Sequence, residues 1–182
     1  MIQTEKLLQL AEDHADSPEV KLEVVQVVKG DLKVELPKEL EEEDGKDNIP
    51  LYSLIKDMKM AQKIKLAIFG NQSARAILIR DPNKLVSLFV LQNARITDNE
   101  IVEFSRNKDL GETILREIAN NGTWMKSYHV KMNIASNPKV PAPLALKWLA
   151  HLHEKDLQKI SKSREVPQLV STQAKRLLAK KS

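Results

Sequence analysis

The sequence predicts an all-α protein built as a short stack of helical hairpins, and three observations carry that prediction. The first is a skeleton that occurs three times, in "KIKLAIFGNQSA" (63–74), "LVSLFVLQNARIT" (85–97) and "HVKMNIASNPKVP" (129–141). Aligned on Asn71, Asn93 and Asn137, its apolar columns coincide as Ile64/Val86/Val130, Leu66/Leu88/Met132 and Ile68/Val90/Ile134. The second is helical periodicity that runs from residue 50 to the end with no strand-type alternation. The third is composition. Hydrophobic residues make up 42% but aromatics only 4%, and there are 5 Gly, so Leu, Ile, Val and Ala pack the core and the tight turns of an all-β fold are scarce.

Taken in order, residues 2–15 set Ile2, Leu7, Leu8 and Leu10 among acids, as an amphipathic helix does. "SPEVKLEVVQVVKG" follows. Ser17 before Pro18 is a helix-start signal, while the Val-rich run is also compatible with a strand; the Ser-Pro start favours the helix. Residues 31–50 hold a Pro, a Gly and the acidic run "ELEEEDGKD" (39–47), which reads as a solvated linker. A domain boundary is therefore expected near residue 48, with an acidic segment (1–48) before a helical-repeat domain (49–182). From 50 onward ten short helices are expected: "LYSLIKDM", "AQKIKLAIFG", "ARAILIRD", "NKLVSLFVLQN", "TDNEIVEFSRN", "LGETILREIANN", "TWMKSYHVKMNIASN", "PAPLALKWLAHL", "EKDLQKISKS" and "VPQLVSTQAKRLL".

The repeat reaches beyond its opening motif. Counted from Asn93, Asn107, Asn137 and Ser163, the third residue on is apolar (Ile96, Leu110, Val140, Val166) and the fourth starts a helix (Thr97, Gly111, Pro141, Pro167). The eleventh is Phe104, Ile118, Trp148 and Ala174, the far end of an apolar face, which places Trp148 in the core. Thr97 with Glu100 makes a capping box, and Asp81 is positioned to cap a helix that starts at Pro82. The anchors lie 22 residues apart (Asn71 to Asn93) and 44 apart (Asn93 to Asn137), periods typical of stacked helical repeats. Each unit buries its apolar face only against its neighbours. The repeated Asn residues suit turns, because Asn tolerates turn geometry and bonds its own backbone; a ladder of ligand-binding amides is the other reading.

"NPKVPAPLALKWL" (137–149) resembles the Asn-Pro-x-x-Pro core of bacterial leucine-rich-repeat-variant units, and the wider period resembles HEAT-type α-solenoids. The stretch from about 60 to 180, with "KIKLAIFGNQSARAILIRDPNKLV" and "ILREIANNGTWMKSYHVK", also resembles bacterial α-helical repeat proteins of a deltaproteobacterial type. The resemblance implies a short right-handed-type α-solenoid and carries no catalytic residues with it. Only 137–141 has the full Asn-Pro-x-x-Pro; Asn93 is followed by Ala94 and Arg95, and Asn71 by Gln72 and Ser73.

Chemistry-bearing motifs are sparse. With no Cys, disulfides and Cys-based zinc sites are excluded and a reducing compartment fits. Of the four His (His14, His129, His151, His153), the pair in "HLHEKD" does not have the i, i+4 spacing of H-E-x-x-H. "GNQSAR" lacks the second Gly of a nucleophile elbow, and no phosphate-cradling Gly loop occurs. No catalytic, cofactor or metal residue is expected. The opening "MIQTEKLLQLAEDHAD" has no long apolar run, no stretch nears the roughly 20 apolar residues of a membrane span, and a cytoplasmic protein is the plain expectation.

Charge is unevenly divided. Residues 1–49 hold 6 Lys/Arg and 14 Asp/Glu, a net of −8, and residues 50–182 hold 23 and 11, a net of +12. The acidic run either screens a basic face or only solubilises the chain. Arg75, Arg80, Arg95, Arg106, Arg116, Lys126 and Lys131 sit in or beside the repeats and would line a basic groove if they shared a helix row; scattered, solvated charge is the other reading. Trp124 and Tyr128, four apart, would share a face as core residues or interface anchors. The expected function is a non-enzymatic scaffold for a protein partner. The alternative is nucleic-acid binding through phosphates by the basic body, although aromatics for base stacking are few. An enzyme with a dispersed site is the third possibility.

Overall fold

The computed structural model describes residues 4–31, 34–37, 40 and 51–181. The acidic run 39–47, Leu40 aside, and with it the expected screening, lies outside them. Among the described residues the structure is all-helical, with no strand. Twelve α-helices have both ends among the described residues: α1 (Thr4–His14), α2 (Pro18–Lys29), α3 (Leu51–Lys56), α4 (Met60–Phe69), α5 (Gln72–Leu78), α6 (Lys84–Val90), α7 (Asp98–Arg106), α8 (Glu112–Asn120), α9 (Tyr128–Ser136), α10 (Ala142–Leu149), α11 (Glu154–Lys162) and α12 (Gln168–Lys181). All ten segments expected after residue 50 are helical. One 3₁₀ turn, Trp124–Lys126, precedes α9.

The chain forms two compact units that divide between Ile96 and Thr97, a different place from the boundary expected near residue 48. In the first unit α1 and α2 are not a separate appendage. They pack on each other, α2 packs on α4, and α1 packs on α6. Leu7, Ala11 and Val24 are buried together with Ile64, Ala67, Val86 and Phe89 of the unit's core. Glu23 of α2 accepts a hydrogen bond from the Ala61 N–H at the start of α4 (3.1 Å), so an acidic residue caps a repeat helix. Acidic composition hid this packing, because the apolar stripe of each short helix is only a few residues wide.

Local signals explain the helix borders. The Ser17 hydroxyl accepts from Val20 N–H at 3.3 Å, and α2 ends where Gly30 adopts φ 79°. The N–H of Asp31 then returns to Gln26 O at 2.8 Å, a left-handed stop that favours glycine. Those two ends outweigh the strand preference of the valines. Asn71 and Asn83 cap α5 and α6, the latter through Leu85 N–H at 2.8 Å. Asp81 is therefore not the cap: it accepts from Asn83 N–H and pairs with Lys63 at 3.0 Å. Thr97 and Glu100 form the expected capping box.

In the second unit α7–α8, α9–α10 and α11–α12 are hairpins, α7 packs beside α9, and α10 packs beside α12. Leu110, Val140 and Val166 are buried at the turns, and Phe104, Ile118 and Ala174 at the far end of the apolar face. Trp148 departs from that column. It is half-buried, with Lys147 Nζ 5.1 Å from its ring centre, because Ala145 and Leu149 take the inward positions of α10. Trp124 and Tyr128 do not share a continuous helix either, since the backbone turns extended at Ser127 between the 3₁₀ turn and α9.

At four anchors the side-chain oxygen accepts from the N–H two residues on: Asn93 from Arg95 (2.9 Å), Asn107 from Asp109 (2.8 Å), Asn137 from Lys139 (3.0 Å) and Ser163 from Glu165 (3.2 Å). That is the expected turn role. Two anchors do more. The Asn93 amide Nδ2 donates to Ala67 O (3.0 Å) and Gly70 O (3.1 Å) at the end of α4. The Asn137 Nδ2 donates to Ser105 O (3.1 Å) and Asn107 O (3.0 Å) at the end of α7. The last carbonyls of a helix have no partner within it, so each buried amide closes the end of a neighbouring helix. Gly70 itself has no room for a side chain, since a Cβ there would lie 2.3 Å from Leu66 O and 3.1 Å from the Ala74 Cβ.

Asn137→Ala should therefore cost about 2–3 kcal/mol, because it strands buried carbonyls as well as freeing a turn. Asn107→Ala, which loses only the local bond, should cost under about 1 kcal/mol. Urea denaturation of both variants checks this; equal losses would reduce Asn137 to a turn residue.

Candidate functional site

The first helices of the three hairpins in the second unit together line a groove of about 520 Å³. The α9 wall is a single helical face, with His129, Met132, Asn133 and Ser136 at i, i+3, i+4 and i+7. Asp156, Lys159 and Ile160 of α11 and Val102 and Arg106 of α7 complete it, with Lys108 and Glu165 at the turns. Val102, Met132 and Ile160 supply the apolar surface. Met132 thus leaves the core column in which the repeat placed it and is half-buried along the groove.

The charges are mixed. Lys108 pairs with Glu165 at 2.6 Å and Lys159 with Asp156 at 3.0 Å, while Arg106 is exposed and makes no ion pair among the described residues. Asn133 holds the α7 side in place: its Nδ2 donates to Val102 O (2.9 Å) and Ser105 Oγ (3.0 Å). It stands one helical turn before Asn137, so two amides on one face of α9 grip the end of α7.

The α11 side is fixed by Tyr128. Its hydroxyl donates to Asp156 Oδ2 at 2.6 Å and accepts from His153 N–H at 3.1 Å, and its ring stacks on the His153 imidazole with centres 4.5 Å apart. Burial, then the bond to Asp156, pushes the Tyr128 hydroxyl above its ordinary 10.0. The Tyr128 hydroxyl, followed by the Lys159 ammonium, holds the Asp156 carboxyl below its ordinary 3.8. Lys159 is itself 79% exposed, so its pairing contributes little beside the tyrosine bond.

Within each unit the basic residues named from the sequence take different places. Arg75 is 1% exposed, its Nη1 bonded to Gly70 O at 3.0 Å, so it serves the interior of the first unit. Arg80 lies on that unit's surface at a hollow of about 320 Å³ with Tyr52, Lys56 and Lys63, and Arg95 is also exposed there. Arg116 on α8 pairs with Glu112. Trp124 and Lys126 line a smaller hollow of about 280 Å³ with Asp98, Ile101 and Val130. Lys131 is half-buried on α9 outside the groove lining, and Tyr128 is committed to Asp156. Only Arg106 of the expected set reaches the groove. Val102, Met132, Asn133 and Ile160 were missed; the i, i+3, i+4, i+7 run on α9 is the signal that could have found part of it.

No three His, Asp or Glu side chains gather as a metal set among the described residues, and none of their helices is long and apolar enough to cross a membrane. Compared with known proteins, the chain gives no significant match to any family model, curated protein or solved structure.

Tyr128→Phe should cost about 1.5–3 kcal/mol near pH 7, the range for hydrogen bonds to a charged group. A depressed carboxyl stabilises the fold above its unfolded value and loses that contribution as pH falls through the folded one. The deficit of the variant should accordingly shrink below about pH 4. The raised tyrosine has the opposite sign: its contribution is present below 10.0 and fades as pH rises through the folded value. Urea melts of both proteins at pH 7 and pH 3 check the acid limb; a deficit independent of pH would contradict it.

Proposed function

We propose that the protein is a non-enzymatic scaffold that holds a protein partner on the surface of short, HEAT-like stacks of helical hairpins, with the groove of the second unit as the seat. The observation that carries this reading is the groove's mixed lining: apolar Val102, Met132 and Ile160 set among cations, acids and amides. Protein interfaces combine an apolar centre with a polar rim in this manner. A phosphate-binding strip would instead present cations without interleaved acids, whereas here Lys108 and Lys159 are each paired to a carboxylate. The unit-by-unit pattern of hairpins joined by amide-to-carbonyl bonds supports the HEAT-like arrangement, and a reducing, cytoplasmic setting suits a chain without cysteine.

The test is capture from the native cell by the tagged full-length protein, with and without nuclease, beside Met132→Glu. A protein partner should survive nuclease and weaken by at least about 1 kcal/mol with the variant. Release of all bound material by nuclease would replace the scaffold with the nucleic-acid reading.

A further inference from the structure

Asn133 is 6% exposed and its amide is only half used. Both bonds come from Nδ2, and the orientation is fixed because Val102 O can only accept. Its Oδ1 accepts no hydrogen bond among the described residues, and Asn133 lines the groove, so this oxygen is left to water or to an occupant of the groove. An acceptor that meets solvent is satisfied by water until an occupant of the groove offers a donor in its place. An acceptor here calls for a donor from whatever occupies the groove.

Arg106 stands one helix away on the same groove, exposed and without an ion pair among the described residues, which leaves its guanidinium to meet an anion. Between and beside these groups lie Val102, Met132 and Ile160. The lining crosses three helices, and neighbouring helix axes lie about 8–10 Å apart, so an elongated occupant fits better than a compact one. The complementary chemistry is an N–H donor, a carboxylate and an apolar side chain in one extended strip. A peptide main chain with an acidic side chain supplies all three.

We propose that this groove binds an extended acidic segment of a protein partner. A main-chain N–H of that segment donates to Asn133 Oδ1, a Glu or Asp side chain meets Arg106, and an apolar side chain lies on Val102, Met132 and Ile160. The proposal rests on the scaffold reading and adds the partner's chemistry to it.

The test selects phage-displayed random dodecapeptides on the folded full-length protein, then measures the best synthetic peptide by titration and NMR. Enriched peptides should pair an acid with an apolar residue and shift the amides of Val102, Arg106, Met132, Asn133 and Ile160. Arg106→Glu, whose melt should match the parent, should weaken binding about tenfold or more, as should N-methylation of one main-chain nitrogen of the peptide. N-methylation leaves the protein untouched, so it stays decisive even if the arginine variant is unstable. Peptides that bind outside the groove, or that tolerate both changes, overturn the acidic-segment proposal while leaving the scaffold reading standing. If no peptide is enriched and a duplex DNA of 20 base pairs moves the groove resonances, both fall.

Discussion

The structure depends on one kind of bond: a buried asparagine amide that donates to the open carbonyls at the end of a neighbouring helix. Short helices make it necessary. In a helix of nine residues the last turn is a large share of the whole, and its carbonyls need partners. Asn93 provides them for α4 and Asn137 for α7, with nearly the same distances. The same side chain folds its own turn through the oxygen, so one residue joins local geometry to tertiary packing.

This double use also sets what remains available for recognition. Asn93 and Asn137 spend oxygen and nitrogen alike within the protein, so they offer a ligand nothing further. Asn133, placed on the helix rather than at the turn, has no adjacent N–H to accept from. Its oxygen is left for the groove. Tyr128 shows the complementary case, a side chain of the sort that favours interfaces but is consumed by a carboxylate and a backbone amide.

Helices and turns were legible in the sequence because their signals are local. Capping residues, Ser17 before Pro18, Gly30, and the oxygen-to-N–H bond of each anchor act over two to four positions. The reach of Asn93 and Asn137 was not legible, since its partners are carbonyls, which every residue carries alike. The groove was hidden for a related reason. Met132 is apolar at a repeat position, and an apolar side chain reads the same whether a neighbour or a groove covers it. Arg75 misled in the opposite direction: a guanidinium suggests the surface, yet here it bonds to Gly70 O in the interior. Nor did the acidic composition of the first fifty residues show that α1 and α2 pack on later helices, because charge reports on solvation and partners rather than on which helices touch.

The distribution of amides along α7 and α9 has a mechanical consequence. Both amides of Asn133 and Asn137 fasten the C-terminal ends of that pair, whereas a small hollow lined by Asp98, Ile101 and Val130 lies between the N-terminal ends. Opening the pair at its C-terminal side would break four amide bonds, whereas opening it at the N-terminal side would break none of them.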